Sequence, residues 1–198
     1  MTTRFFDKIK NHCLLQLQNL NPKLYYHNIL HTLDVLAQAE RIAQEEGRCD
    51  KHEIFLIKVA ALYHDTGFLF EYNHHEERSC DLFLTDKISL EFAGEDKEII
   101  CGLIMATQIP QQPKSLLEGI ICDADLDYLG RSDFFPISDN LRREFLEFGI
   151  VKTNEEWELR QYKFLKAHEY CTDSAKNFRG ELKMEHFRKV ESELSFYF

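Results

Sequence analysis

The sequence predicts an all-α protein, because apolar residues recur at helical spacing and no segment alternates as a half-buried strand would. Glycine and proline are sparse, with 8 and 4 residues among 198, so few positions interrupt a helix. Hydrophobic residues make up 44% of the chain and charged residues 29%, a balance typical of folded globular proteins. No low-complexity linker divides the sequence, and we therefore predict a single helical domain over residues 1–198.

The predicted helices follow from the apolar stripes and from the residues that end them. Asn21 and Pro22 end the first stripe, and Gly47 is a typical C-terminal cap for the second helix. Proline residues at 110, 113 and 136 mark loops further along the chain. In chain order, helices are predicted over residues 5–17, 24–46, 53–63, 76–84, 96–107, 115–129, 140–148, 155–177 and 184–194.

Charge and composition exclude several classes of partner. The net charge of −10 argues against a nucleic-acid polymer, which requires a basic face. No stretch approaches the roughly 20 apolar residues of a membrane span, and the N-terminus lacks an apolar signal core. The six cysteines include no CxxC pair, which favours reduced thiols and a cytoplasmic location over disulfides or a cysteine-based metal site.

Two histidines four residues apart lie near the start of the second predicted helix. In the segment YYHNILHTLDVL, His27 and His31 would stack on one helical face beside an apolar stripe. Such a pair is also common at a half-exposed polar edge, so this spacing alone is a weak signal.

The segment KVAALYHDTGF places His64 and Asp65 at the end of an apolar helix. No Lys or Arg lies nearby in sequence to neutralise Asp65, and burial of an unpaired carboxylate costs several kcal/mol. A bound metal ion is one solution. The alternative is that Asp65 caps the following turn through Thr66 and Gly67.

A third acidic segment, IICDADLDYLG, contains three aspartates. Helical spacing places Asp125 among apolar neighbours, which indicates that it points into the core. Asp123 and Asp127 stack on each other beside glycines, and we expect them on a solvated face. Asp125 is therefore the predicted third site of ligation.

Two imidazoles and two carboxylates suit a divalent ion such as Mn, Fe, Zn or Mg, with open positions left for water. A water on that ion would have a lowered pKa and could attack phosphorus while the ion polarises the phosphoryl oxygen. A cation would also let an acidic protein accept a small phosphorylated substrate.

The ordered set His31, His64-Asp65 and Asp125 resembles the H…HD…D signature of the HD superfamily of metal-dependent phosphohydrolases. The resemblance covers roughly residues 25–131, and helices within 139–195 are expected to pack on this region. YHNILHTLDV also looks like the YHNxxHAxDV segment of cyclic-nucleotide phosphodiesterases. That resemblance implies that His27 protonates the leaving oxygen and His31 binds metal. HHEERS, DADLDYLG and LRREF are most similar to a bacterial subgroup of predicted HD phosphohydrolases.

Two departures from the family pattern bear on the site. Phe68 stands where many HD enzymes carry a Glu soon after HD, so the acid role falls to His27. Enzymes with two metals take further histidines from the helices before the last Asp; His74 and His75 are present here, but 99–107 has none. We therefore expect one tightly bound metal, with a weaker ion near His75 and Asp65 left open. His75 is interpreted as a phosphate contact, a neighbour that supports the ligands, or a partly exposed residue at a helix start.

The resemblance implies a phosphohydrolase acting on a phosphomonoester or phosphodiester of a nucleotide or small metabolite. A metal-bound water would be the nucleophile, Asp65 would orient it and His27 would be the acid. Two alternatives stay open: a di-metal oxygenase on the same fold, and a metal-containing binding or regulatory module with little turnover. The aromatic pattern over 155–177 is expected to form core or a surface for a homodimer.

Overall fold

The computed structural model describes residues 3–47 and 49–194, and the predicted all-α class is confirmed. Within these residues the chain forms nine α-helices, no strand and short 3-10 turns at 66–69, 87–91 and 127–130. The predicted domain 1–198 and helical segment 139–195 also include residues outside the described ranges. The helices are α1 (Thr3–Leu17), α2 (Ile29–Glu46), α3 (Lys51–Tyr63), α4 (His75–Thr85), α5 (Gly94–Ala106), α6 (Leu116–Asp125), α7 (Phe134–Glu147), α8 (Asn154–Ala167) and α9 (Asp173–Leu194).

Helix α3 is the central element of the first hydrophobic cluster. It packs against α1, α2, α5 and α6, and every residue from Phe55 to Tyr63 except Lys58 is buried. Burial of each large apolar side chain stabilises the folded state by roughly 1.5–3 kcal/mol. Helix α3 is therefore held in place on all sides. The helix starts at a capping box, in which Asp50 accepts from the Glu53 N–H and the Glu53 side chain accepts from the Asp50 N–H. The chain that leaves α3 at Tyr63 is therefore held rigidly.

Helices α7, α8 and α9 form a second hydrophobic cluster beside the first. Its buried members include Tyr26, which precedes α2, and Leu126, which follows α6. Helix α9 packs against α2, α8 and the turn at 127–130. The segments around Tyr26 and Leu126 therefore lie where the two clusters meet.

The predicted start of α2 at Leu24 is wrong, and the helix begins at Ile29. Asn28 caps it, because its side-chain oxygen accepts hydrogen bonds from the N–H groups of Leu30 and His31 at 2.9 and 3.4 Å. The N–H groups of Tyr26 and His27 donate to the Glu144 carboxylate and form no intrahelical hydrogen bonds. His27 therefore precedes the helix and does not share a helical face with His31.

Predicted boundaries in the second half of the chain also differ from the structure. Helix α6 ends at Asp125 and a separate 3-10 turn follows, whereas one helix was predicted over 115–129. Helix α7 begins at Phe134, because Pro136 lies in its first turn, where an N–H has no helical acceptor. The predicted helix 155–177 is broken between Ala167 and Asp173, and α9 continues to Leu194 through the predicted gap before residue 184.

None of the helices in the described part of the chain combines the length and the apolar character needed to cross a membrane.

Candidate metal centre and adjoining pocket

Two histidines and an aspartate converge where the first turn of α2 meets the end of α3. His31 Nε2 lies 3.4 Å from both His64 Nε2 and Asp65 Oδ2, and His64 Nε2 lies 3.3 Å from Asp65 Oδ2. One ligand atom from each residue lies within 4.8 Å of the others. The His64 and Asp65 side chains are buried, at 1% and 6% exposure. The structure thus brings three of the predicted ligands to one point.

Asp125 joins this cluster from the last position of α6. Its Oδ1 lies 3.1 Å from His31 Nε2 and 3.6 Å from His64 Nε2. At 15% side-chain exposure it is the most accessible of the four residues, and it lines a pocket. All four predicted ligands therefore lie together, and Asp125 is placed between the cluster and the pocket.

The alternative role of Asp65 as a cap is wrong. Its side chain makes no capping hydrogen bond to the 3-10 turn at 66–69. Its Oδ2 is a buried oxygen without a hydrogen-bond partner among the described residues. Since a buried carboxylate oxygen without a hydrogen bond costs free energy, this atom needs a positive charge beside it, which a protonated imidazole or a bound cation can supply.

The donor set fits a divalent cation. The His64 ring Nδ1–H donates to the Ala61 carbonyl oxygen at 2.9 Å, which directs Nε2 at the cluster, where it can bind a cation once it loses its proton. Two imidazole nitrogens and two carboxylate oxygens are ligands typical of Zn, Mn or Fe, and the orphaned Asp65 oxygen is one of them. These residues can therefore hold a cation, whose identity the ligand types leave open.

The close contacts between imidazoles and carboxylates shift their pKa values. Burial opposes the charge on His64, but Asp65 and Asp125 raise the pKa of this imidazole well above its ordinary value. Burial likewise opposes ionisation of Asp125, but His31 and His64 lower its pKa to about 2. Protonated His64 and ionised Asp125 thus stabilise each other, and a cation bound at this point would take the place of the proton on His64 Nε2.

His27 lies beside the cluster and is held by a buried glutamate from α7. The His27 Nδ1–H donates to Glu144 Oε1, and the Tyr72 hydroxyl donates to the same oxygen at 2.8 Å. Glu144 Oε2 accepts from the backbone N–H groups of Tyr26 and His27 at 2.8 and 3.1 Å. Burial works against the charge on His27, but the hydrogen bond to Glu144 raises its pKa. The geometry leaves His27 Nε2 as the ring nitrogen available to a ligand.

The Phe68 ring contacts two histidine rings. Its ring stacks on His27 with centroids 4.3 Å apart and on His75 with centroids 4.0 Å apart. His75 begins α4, and its Nε2 lies 3.5 Å from Asp65 Oδ1 and 3.4 Å from Glu76 Oε1. The structure therefore places His75 next to one ligand without making it a member of the four-residue cluster.

A pocket of about 460 Å³ opens beside the cluster. His27, His75 and Asp125 are among the residues that line it. Its walls are largely apolar and include side chains from α7 and α8, among them Leu141, Phe145, Trp157, Phe164 and Leu165. A ligand that reaches the four clustered residues can therefore extend into an aromatic cavity.

Sequence reasoning missed Glu144. The motif LRREF contained it, but only Leu141 and Phe148 are apolar among its neighbours three and four positions away, which gave a weak signal of burial. Glu144 is nevertheless fully buried, at 0% exposure. Its partners come from residues 26–27 and Tyr72, which no local pattern connects with α7.

The expectation of a solvated face for Asp123 and Asp127 is wrong, because both are buried. Asp123 accepts hydrogen bonds from the N–H groups of Cys171 and Thr172 ahead of α9. Asp127 forms ion pairs with Arg41 at 2.7 Å and Arg179 at 2.9 Å. The C-terminal helices cover this side of α6, so these carboxylates connect elements instead of facing water.

Comparison with curated proteins and with solved structures gives no match. A family model described as HD domain matches residues 28–127, which is half of the chain and contains all four clustered residues. Members of this family are mostly metal-dependent hydrolases. The chain therefore belongs to the HD domain family.

Proposed function

We propose that the chain is a metal-dependent phosphohydrolase that cleaves a P–O bond in a phosphomonoester or phosphodiester of a nucleotide or small metabolite. The observation that carries this proposal is the buried Asp65 oxygen without a partner, in a cluster with His31, His64 and Asp125. The pocket beside the cluster gives a small substrate access to it. One divalent cation is the proposed cofactor.

A cation held by these four residues would lower the pKa of a bound water and polarise a phosphoryl oxygen. Asp65 and Asp125 supply the negative charge that holds it, and burial of the four side chains keeps their positions fixed. Asp65 has a second oxygen, Oδ1, on the side of His75, where it can accept a hydrogen bond from the attacking water. Asp65 thus both binds the cation and orients the water.

His27 is the proposed general acid. Hydrolysis forms a P–O bond to the oxygen of water and breaks the ester P–O bond. The departing ester oxygen takes a proton from His27 Nε2. The proton lost by the attacking water passes through Asp65 to solvent. Glu144 stabilises the protonated imidazole through Nδ1 and fixes the direction of Nε2. Positioned acid catalysis of this kind contributes about 10²–10⁴-fold to turnover.

Substitution of His27 and of His31 separates the acid from the ligands. We expect His27→Ala to keep its bound metal, measured by plasma mass spectrometry, and to lose about 10²–10⁴-fold in turnover of alkyl phosphates. Nitrophenyl esters should be affected less, because their leaving group needs little protonation. His31→Ala should lose metal and activity together. His52→Ala is the matched control, since this exposed histidine pairs with Asp96 far from the cluster.

Loss of metal from His27→Ala, or full activity on alkyl phosphates, would contradict the assignment of roles. The proposed function would be contradicted if the wild-type protein, reconstituted with Mn²⁺, Zn²⁺, Mg²⁺ or Fe²⁺, hydrolysed none of the phosphate esters. An iron pair with oxygen consumption would establish the oxygenase instead.

A further inference from the structure

The pocket beside the candidate metal centre is lined by more apolar than polar residues. His27, His75 and Asp125 line it next to the cluster, and the rest of the lining is largely apolar, with polar side chains that include Gln108, Ser138, Arg160 and Gln161. Trp157 and Phe145 meet edge to face with ring centroids 5.6 Å apart and form part of the wall. A ligand bound here would have one polar end at the cluster and a largely apolar body in the cavity.

Permanent positive charge is scarce along these walls. Among the residues that line the pocket, Arg160 is the one arginine, and no lysine accompanies it. Glu76 and Asp125 add negative charge to the same lining. A substrate with several phosphates needs cations or backbone N–H groups along its length, so this pocket favours a single phosphate placed at the metal.

The volume of about 460 Å³ lies within the roughly 300–1,000 Å³ typical of sites that enclose a drug-sized organic molecule. Stacking and edge contacts with aromatic rings stabilise planar groups beyond their simple burial. Much of the wall comes from α7 and α8, which lie outside the family match at residues 28–127. Much of the surface that a ligand would contact thus lies outside the part of the chain that the family match covers.

We propose that the cavity between the cluster and helices α7 and α8 is a subsite for an uncharged aromatic or large apolar leaving group, so that the preferred substrate is the monophosphate ester of such an alcohol. The proposal rests on the proposed phosphohydrolase function. Leu141, Phe145, Trp157 and Phe164 form the contact surface of the subsite, and His27 faces the ester oxygen next to the cluster.

Three esters of primary alcohols test the subsite: glycerol 3-phosphate, 2-phenylethyl phosphate and 2-(1-naphthyl)ethyl phosphate. Because all three leave as primary alcohols, differences in kcat/KM reflect contacts with the organic group more than leaving-group chemistry. We expect kcat/KM of the metal-loaded protein to rise by about 10- to 100-fold from the glycerol to the naphthyl ester. Equal kcat/KM for the three esters would overturn the subsite and leave the hydrolase function standing.

A variant that fills the cavity tests whether the preference for the naphthyl ester arises there. Leu141→Trp should lower kcat/KM for the naphthyl ester by about 10-fold more than kcat/KM for glycerol 3-phosphate, because the added ring occupies the cavity. Leu146→Trp is the matched control, since Leu146 lies on the same helix and does not line the pocket. Loss of the naphthyl preference in both variants, or in neither, would contradict the assigned position.

Binding provides a readout that needs neither turnover nor a folded variant. Calorimetry of the metal-loaded wild-type protein should show that 2-(1-naphthyl)ethylphosphonate binds about 10- to 100-fold more tightly than ethylphosphonate. If no ester is hydrolysed but this difference in affinity is found, the proposed function fails and the subsite stands. Equal affinities would overturn the subsite.

Discussion

At the scale of single residues, the position of His27 depends on Phe68 as well as on Glu144. Phe68 stacks on the rings of both His27 and His75, whose own centroids lie 6.1 Å apart. A glutamate at this position would bring another carboxylate toward Asp65, which already lies 3.5 Å from His75. Phe68 therefore orients two histidines without adding charge.

Replacement of Phe68 by leucine tests this positioning role. Phe68→Leu keeps an apolar side chain but removes the aromatic stacking, which contributes roughly 0.5–1.5 kcal/mol for each pair. We expect unchanged metal content and KM, with kcat lowered about 10-fold. Phe70→Leu is the control, because Phe70 is exposed and outside the stack. An unchanged kcat in Phe68→Leu would contradict the role.

Glu144 sets the protonation of His27, so its removal should alter the pH profile. Glu144 raises the pKa of His27 in the folded protein, and His27 must be protonated to act as an acid. In Glu144→Gln the pKa of His27 falls, so the alkaline limb of the profile of kcat against pH should move to lower pH. Metal content should be retained. A lower kcat without movement of that limb would indicate a purely structural role for Glu144.

Local patterns predicted some of these residues and could not predict others. Asp125 was found because helical spacing surrounded it with apolar neighbours, which is a property of its own segment. Asp123 and Asp127 were misassigned because α9, about 50 residues later, covers them. Glu144 was missed for the same reason: its partner His27 is 117 residues away in sequence.

At the scale of elements, the 3-10 turn at 66–69 fixes the angle at which α4 meets the site. Its Gly67 N–H donates to the Ser79 hydroxyl at 2.8 Å, and Ser79 donates to the His64 carbonyl oxygen at 2.7 Å. A Cβ on Gly67 would lie 1.9 Å from the carbonyl oxygen of His75. Because that oxygen belongs to the backbone of α4, a side-chain movement cannot relieve the overlap.

Gly67→Ala should therefore displace α4 and destabilise the protein by more than about 2 kcal/mol, as measured by urea denaturation. Gly102→Ala is the matched control within α5, where an added Cβ meets nothing within 4 Å. That change should be neutral or stabilise by up to about 1 kcal/mol, because alanine favours a helix over glycine. Similar stabilities for the two variants would contradict the close contact between the turn and α4.

Element type was predictable from apolar spacing, whereas several element ends were not. The cap at Asn28 was hidden within a continuous helical pattern, and the N–H groups before it donate to α7. The break before α9 depends on Asp123 accepting from Cys171 and Thr172. Ends determined by contacts with distant elements leave little trace in the local sequence, so helices predicted there were too long or wrongly divided.

At the scale of the whole molecule, the candidate metal centre lies between two hydrophobic clusters. His64 follows Tyr63 of the first cluster, while Leu126 of the second cluster follows Asp125. A cation bound by residues from α2, the end of α3 and α6 would therefore tie these elements together. Binding to the native state alone stabilises by about 2.7 kcal/mol when the free metal exceeds its dissociation constant 100-fold.

The central claim is that His31, His64, Asp65 and Asp125 bind one cation, and anomalous diffraction from crystals loaded with Zn²⁺ tests it most directly. The account predicts one strong anomalous peak among the four side chains, with ligand atoms roughly 2.0–2.3 Å from the ion. Crystals of His64→Ala, grown and loaded in the same way, should lose that peak. An ion bound elsewhere with these four residues left uncoordinated, or an unchanged peak in His64→Ala, would contradict the account.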